Sequence, residues 1–124
     1  DRLVMLLAGG SILAVKGIGG FHLLADACNE TAVARLRRRK GRPEKPFAVM
    51  FQDRDEVARC CRLGPAAERL LSGPERPIVL LPWEGGTIAP SVTPSVAPGP
   101  RGSARCCRIR RCITCCSMAR RTCW

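Results

Sequence analysis

The chain has 124 residues, 46% of them hydrophobic, so it is long enough for a modest core and too short for more than one domain. Its formal net charge is +11, from 21 Lys and Arg against 10 Asp and Glu. No apolar run approaches the length that crosses a bilayer, and no basic start is followed by a cleavage site, so we expect neither a membrane span nor a signal peptide. Because the sequence lacks an initiating Met, we expect it to be a fragment.

Charge and cysteine divide the chain into two unequal parts. Residues 1–100 carry 14 Lys and Arg against 10 acids, whereas residues 101–124 carry seven Arg and no acid. Six of the nine Cys also lie in the second part. This is the largest composition break in the sequence, and inferences about class therefore rest on the first part.

A glycine-rich segment follows the first predicted strand. Residues 1–8 predict the last turns of a helix that ends at a Gly pair, and residues 11–15 predict a short buried strand. Next come Lys16, Gly19 and Gly20, where glycines allow a ligand to approach the backbone and Lys16 adds a charge. The spacing is neither that of a P-loop nor GxGxxG, so a tight strand-to-strand turn explains the segment about as well.

The histidine and the first cysteine pair favour core positions over chemistry. His22, the only histidine, lies between Phe21 and Leu23 and is better interpreted as a packed core residue, with substrate contact as the alternative. Cys60 and Cys61 lie within a predicted helix and have no nearby His or second Cys pair. Core packing is therefore favoured over metal binding for this pair.

The segment around residue 40 predicts a helix, a rigid turn and a core strand. Asn29 suits the N-cap of an amphipathic helix, which Gly41 ends. Pro43 prevents the helix from restarting, and Pro46 favours an extended chain into a buried strand at residues 47–51.

Five cations occupy the six positions from 37 to 42 of this segment. Basic runs are more often solvated faces than ligand sites, and we expect residues 37–39 to face solvent. The last two of these cations and one further lysine lie in the break between Gly and Pro residues, where the backbone has little freedom. That arrangement suits a phosphate or carboxylate ligand. The predicted ligand-binding residues are Lys40, Arg42 and Lys45.

The remaining elements complete an alternating pattern. Asp53 suits the N-cap of a third helix, and residues 66–71 predict a fourth after Gly64 and Pro65. Residues 77–81 predict a buried strand, and residues 85–99 a loop. The order of elements predicts an α/β domain with a mixed or parallel sheet and two candidate anion-binding turns.

These segments carry a resemblance to a known family. The most specific parts are KGIGGFHL from Lys16 and RKGRPEKPFAVM from Arg39, supported by the RPIVLL strand from Arg76. Over residues 3–100 the sequence resembles the YrdC-like domain of HypF carbamoyltransferases, which are maturation factors of nickel–iron hydrogenases. The GGFHL form favours this branch over the YrdC/Sua5 enzymes that make threonylcarbamoyl-adenylate for tRNA modification, which remain the alternative.

The resemblance implies a twisted open mixed α/β sheet with flanking helices and a deep, positively charged cleft. It implies binding of ATP with Mg²⁺, and formation of carbamoyl-adenylate from carbamate that derives from carbamoyl phosphate. In this sequence Lys40, Arg42 and Lys45 match the basic motif, and Lys16, Gly19 and Gly20 would line the same cleft. The chemistry needs positioning and charge neutralisation and no covalent nucleophile.

The resemblance also implies partners and a location. In the full-length family the domain adjoins acylphosphatase, zinc-finger and Kae1-like domains, acts with HypE, and is cytoplasmic. A second function class is double-stranded RNA binding, because YrdC-type domains have a suitable basic cleft. The few aromatic residues before residue 101 and the modest net charge there argue against it.

The tail departs from the family. The resemblance implies an apolar core strand, a PYTPLHH-like segment and a TSGN-like turn after residue 99, whereas residues 103–124 contain six Cys, six Arg, no acid and no His. A Cys codon that is read one base earlier ends in TG and encodes Leu, Val or Met. Shifted in this way, residues 103–124 can read LGALLPYTPLHHLLLDGAPDVL. Zinc binding is a less favoured alternative for three of the cysteines, Cys112, Cys115 and Cys116.

We therefore predict an incomplete YrdC-like domain at residues 1–101 and an aberrant, out-of-frame tail at residues 102–124. The written tail is expected to supply neither the missing central strand nor the second wall of the nucleotide pocket. The chain as written is accordingly expected to be catalytically inactive and only marginally folded.

Overall fold

The computed structural model describes residues 2–17, 19–75, 77–82, 94–97, 104–109 and 121–123, the last two segments by their backbone alone. The helices are α1 (Arg2–Ala8), α2 (Glu30–Lys40), α3 (Arg54–Cys60) and α4 (Pro65–Ser72). The strands are β1 (Leu13–Gly17), β2 (Gly20–Asp26), β3 (Val49–Phe51), β4 (Val79–Pro82), β5 (Ala104–Ile109) and β6 (Arg121–Cys123). A short 3₁₀ helix (Pro94–Val96) lies in the segment that we call the 94–97 turn.

The six strands that the structure describes form one open mixed sheet in the order β1-β2-β6-β3-β5-β4. Strand β3 runs parallel to β5, and the other neighbouring pairs are antiparallel. The helices flank this sheet, and the predicted open mixed α/β architecture is confirmed. None of the helices that the structure describes is long and apolar enough to span a bilayer.

Local capping signals set the helix ends as predicted. The Asn29 side chain accepts a hydrogen bond from the Ala32 amide at 3.0 Å and caps α2. At the other end Gly41 adopts a left-handed conformation with φ 56°, which favours glycine, and its amide bonds the last turn. Asp53 caps α3 in the same way, accepting from the Glu56 amide at 2.8 Å.

The core lies between α2, β3 and α3. Helix α2 buries Val33 and Leu36 on one face, and Phe47 and Phe51 fill the space beside them with 1% and 2% of their surface exposed. Each such side chain contributes about 1.5–3 kcal/mol by leaving water. Two cysteines complete the cluster, which confirms the predicted core role of Cys60 and Cys61.

Two strands that the sequence predicts as buried are partly exposed. In β1, Val15 is exposed. The side chain of Ile78, just before β4, is 45% exposed, and that of Leu80 within β4 is 62% exposed, although Leu81 is buried. The reason is the strand order, because β1 and β4 are the two edges of the sheet. In β4 exposed residues alternate with buried or half-buried ones, as in a strand with one covered face, and in β1 no residue is fully buried.

The expectation that the tail supplies no strand is wrong at the level of the backbone. Strand β5 lies between β3 and β4, with Val49 opposite Cys107, and β6 lies between β2 and β3. A strand ladder is built from main-chain N–H and C=O groups, which every non-proline residue carries, so it does not require the apolar sequence that the family resemblance implies.

Candidate anion-binding site

Residues 40–45 form an open pocket of ≈ 400 Å³ at the C-terminal end of α2. Its lining includes three cations, Lys40, Arg42 and Lys45, against one carboxylate, Glu44. All four side chains are exposed to solvent. The structure therefore brings together the three cations that the sequence singles out, in one concave surface with an excess of positive charge.

The backbone of this basic turn is held from within. The left-handed Gly41 reverses the chain direction after α2, and the Arg42 amide bonds the Arg37 main-chain oxygen at 3.2 Å. The Arg42 guanidinium donates to the Pro46 main-chain oxygen at 3.3 Å and lies 5.9 Å from the centre of the Phe47 ring. The turn is thus fixed onto the buried start of the segment that becomes β3.

Arg37 is the residue that sequence reasoning missed. We expected it to face solvent, and the structure corrects this: its guanidinium donates to main-chain oxygens on two segments and stacks 4.4 Å from the centre of the Phe47 ring. Position 37 continues the stripe of buried residues that begins at Val33 and includes Leu36. Helical periodicity therefore indicates that Arg37 faces the core side of α2. Arg38 and Arg39 are exposed, as predicted.

The hydrogen bonds of Arg37 reach both sides of the pocket region. On the basic turn, Nη1 donates to the main-chain oxygens of Arg42, of Pro43 at 3.2 Å and of Lys45 at 2.9 Å. On the 94–97 turn, Ser95 O accepts from Nε at 3.0 Å and from Nη2 at 2.7 Å, and Val96 O accepts from Nη2 at 3.1 Å.

Three further contacts dock the 94–97 turn against the domain. The Ser95 hydroxyl donates to the Glu30 carboxylate in the first turn of α2. The Phe47 amide donates to the Val96 main-chain oxygen at 2.9 Å, and the Val96 side chain is fully buried. The described part of the predicted loop is therefore packed against the core, and the rest of residues 85–99 lies outside the described residues.

The glycine-rich segment is a β-hairpin. Strands β1 and β2 pair antiparallel as far as Gly17 opposite Gly20, and Gly20 has a φ of 131°. Lys16 is exposed, with its Nζ 6.0 Å from the centre of the Phe21 ring, and Gly19 is also exposed. None of these residues lines the pocket at 40–45. The structure places the two predicted anion-binding turns on separate elements.

His22 is half-buried in β2 and packs across the hairpin. A Cβ atom added at Gly17 would stand 2.8 Å from its Nε2, so the missing side chain of Gly17 makes room for the imidazole. Within the described residues, no group of three or more His, Cys, Asp or Glu side chains is arranged to hold a metal ion. The predicted alternative zinc ligands, Cys112, Cys115 and Cys116, lie outside those residues.

Comparison with known proteins assigns the chain to a family. Residues 5–100 match the Sua5/YciO/YrdC family model, which carries the description "Telomere recombination". The carbamoyltransferase HypF of Rhodobacter capsulatus is 50% identical over 93 residues, which cover 75% of this chain and 12% of that protein. A full-length HypF, solved in a phosphate- and nucleotide-bound form, is 42% identical and superposes with a TM-score of 0.74 over 87% of this chain and 14% of its own.

The related Sua5 of P. abyssi, solved as a double variant, superposes with a TM-score of 0.76 over 98% of this chain and 36% of its own. At 18% sequence identity that likeness concerns the fold alone. The chain spans 12% of the length of the HypF relatives that it matches first, so it corresponds to one part of much longer proteins. The resemblance inferred from the sequence is confirmed. The chain belongs to the Sua5/YciO/YrdC family, in which its relatives are HypF carbamoyltransferases.

Proposed function

We propose that this chain carries the phosphate-handling part of a domain that binds ATP and forms carbamoyl-adenylate for hydrogenase maturation. The observation that carries the proposal is the pocket at residues 40–45, in which three cations surround a space of ≈ 400 Å³ on a turn fixed to the core. Family membership and the phosphate- and nucleotide-bound form of a related HypF support the assignment of the ligand.

In this proposal the pocket neutralises the phosphates of ATP. Lys40 and Lys45 supply compact ammonium charges, and Arg42 supplies a planar fork that fits two phosphate oxygens. Because all three side chains are exposed, water screens their charges in the free protein. Their attraction to the phosphates strengthens once the bound nucleotide displaces that water. Lys16, the Gly19 and Gly20 backbone and His22 approach the same ligand from the β1–β2 hairpin in the complete domain.

The reaction that we propose is a nucleophilic substitution at the α-phosphorus of ATP. A carbamate oxygen, already negatively charged, forms a bond to that phosphorus, and the bond to the bridging oxygen breaks, so that pyrophosphate leaves with the electron pair. No proton transfer and no protein nucleophile are needed, which fits a site made of cations. Mg²⁺ would be carried into the site by the phosphates, since phosphate oxygens are ligands that it prefers.

The wider context also belongs to this proposal. The chain is 12% of the length of its HypF relatives, and we place it beside acylphosphatase, zinc-finger and Kae1-like domains in a cytoplasmic protein that acts with HypE. The family model ends at residue 100, and we propose that residues 102–124 are out of frame, so that the chain as written lacks the second wall of the nucleotide pocket and is inactive. Threonylcarbamoyl-adenylate synthesis has the support of fold similarity alone.

The test is carbamoyl phosphate-dependent ATP–pyrophosphate exchange in the protein with its reading frame restored after residue 100, together with the proposed acylphosphatase domain, which would hydrolyse carbamoyl phosphate to carbamate and phosphate. Arg42→Ala is expected to lower exchange about 100-fold or more, since a positioned charge in such a site contributes on that scale. Arg39→Ala removes the same charge from an exposed position on α2 and is expected to stay within about twofold. Exchange that depends on threonine instead of carbamoyl phosphate would favour the alternative, and exchange unaffected by Arg42→Ala would remove this turn from the site.

The alternative function, binding of double-stranded RNA, is tested with the same proteins. Titration with a double-stranded RNA at two salt concentrations would show a steep salt dependence if several phosphates were contacted. We expect no saturable RNA binding near physiological salt. Tight, salt-dependent RNA binding without carbamoyl phosphate-dependent exchange would replace the enzymatic proposal by the binding one.

A further inference from the structure

One side chain connects the pocket to a segment that lies far away in sequence. Six hydrogen bonds of the Arg37 guanidinium go to five main-chain oxygens, three on the basic turn and two on the 94–97 turn. Ser95 lies 58 residues beyond Arg37 in the chain. The two turns are therefore held by different nitrogens of one guanidinium, and a shift of the guanidinium with either turn changes its hydrogen bonds to the other.

The geometry requires an arginine. The guanidinium is planar and carries five N–H donors in a fixed fork, so it can serve acceptors on opposite sides while its face lies on the Phe47 ring at 4.4 Å. A lysine keeps the charge but has a single nitrogen, which cannot reach both turns at once. The loss from Arg37→Lys is therefore a loss of geometry and not of charge.

The pocket needs such a connection because its cations repel one another. Arg42 and Lys45 lie on a turn outside any strand or helix, next to Lys40 at the end of α2, and charge repulsion among the three opposes their close approach. By bonding the main-chain oxygens of residues 42, 43 and 45, Arg37 fixes the backbone from which two of these cations project. The unfavourable free energy of bringing the cations together is then offset by the free energy of folding, before any anion binds.

We propose that Arg37 is the positioning residue of the anion pocket, and that it couples anion binding at residues 40–45 to docking of the 94–97 turn. This deepens the proposed function, on which it rests for the nature of the ligand. Because coupling between two sites is reciprocal, a bound anion should hold the 94–97 turn in place, and a loosened 94–97 turn should lower the affinity of the pocket for the anion. The Phe47 amide, which donates to Val96 O, reports on that docking.

The experiment uses the 124-residue chain and inorganic pyrophosphate, with binding measured by calorimetry and amide exchange by NMR. Arg37→Lys is expected to raise the pyrophosphate Kd about tenfold and to speed exchange of the Phe47 amide to a similar extent, since about one tenfold step accompanies the loss of a charge-assisted hydrogen bond. In the unmodified chain, saturating pyrophosphate is expected to slow exchange of that amide. The matched control is Arg38→Lys, an exposed neighbour, for which both quantities should stay within about twofold.

A second variant tests the coupling without touching Arg37 or the pocket. Ser95→Ala removes the hydroxyl that bonds Glu30 but keeps the main-chain oxygen that accepts from Arg37. We expect the pyrophosphate Kd to rise about threefold. A poorly docked 94–97 turn makes weaker hydrogen bonds to Arg37, which then fixes the basic turn less firmly. The control is Ser72→Ala at the exposed end of α4.

The outcomes separate this inference from the proposed function. If Arg37→Lys lowers the melting temperature but leaves the pyrophosphate Kd of the folded chain unchanged, Arg37 is structural only and the coupling is wrong. The same holds if pyrophosphate fails to protect the Phe47 amide. If the coupling is found but the frame-restored protein shows no carbamoyl phosphate-dependent exchange, the positioning role stands and the proposed reaction falls.

Discussion

The β1–β2 hairpin and the basic turn at residues 40–45 both place glycine beside cations, yet their shapes have different origins. The hairpin is closed by its own strand ladder, which ends at Gly17 opposite Gly20. The basic turn is held by a side chain of the preceding helix that also bonds the 94–97 turn. A turn of the first kind is set by adjacent residues, whereas one of the second kind depends on the whole fold. A ligand site of the second kind can therefore respond to distant changes.

The largest expected difference between the two regions concerns their phenylalanines. Phe47→Ala should destabilise the chain by about 3–5 kcal/mol, because the ring is 1% exposed and its removal leaves a cavity. Phe21→Ala on the hairpin removes a ring that is 70% exposed and should change stability by less than about 0.5 kcal/mol. Urea unfolding of both variants measures the difference. A similar loss of stability for both variants would contradict the exposure of the Phe21 ring.

A smaller expected difference concerns the lysines. Lys45→Ala should raise the pyrophosphate Kd about tenfold, since it removes one cation from the lining of the pocket. In the 124-residue chain Lys16→Ala should stay within about twofold, because Lys16 does not line that pocket and is proposed to reach the nucleotide only in the complete domain. Both effects should shrink as salt is raised from about 0.05 to 0.5 M. Equal effects of the two substitutions would show that the hairpin and the basic turn form one site for a diphosphate.

The smallest expected difference concerns the glycines. Gly41→Ala should cost about 1 kcal/mol, because φ is 56° and a side chain is strained there even though a Cβ atom would meet no neighbour within 4 Å. Gly19→Ala also meets no neighbour and has no such φ, so it should be close to neutral. Thermal melts compare them, and Gly41→Asn should recover part of the loss. A neutral Gly41→Ala would indicate that the turn is free to relax.

Features that depend on a few adjacent residues could be predicted from the sequence. The caps at Asn29 and Asp53, the left-handed Gly41 and the grouping of Lys40 with its neighbours all follow from short-range rules. The exposure of β1 and β4 could not be predicted, since it follows from their places at the sheet edges. The role of Arg37 could not be fully predicted either, because two of its acceptors lie at Ser95 and beyond, although its helical position indicated burial.

The position of β3 has a consequence for how the chain acquires its structure during synthesis. The three residues from Val49 to Phe51 pair with β5 on one side and β6 on the other, and both partners come from the last fifth of the chain. Until the ribosome has released residue 123, the central strand therefore has two open edges. Sequence-distant pairing is slow, and open edges invite association with other chains. Nascent chains halted before residue 104 should accordingly require holding by chaperones, whereas chains that extend beyond residue 123 can close both edges.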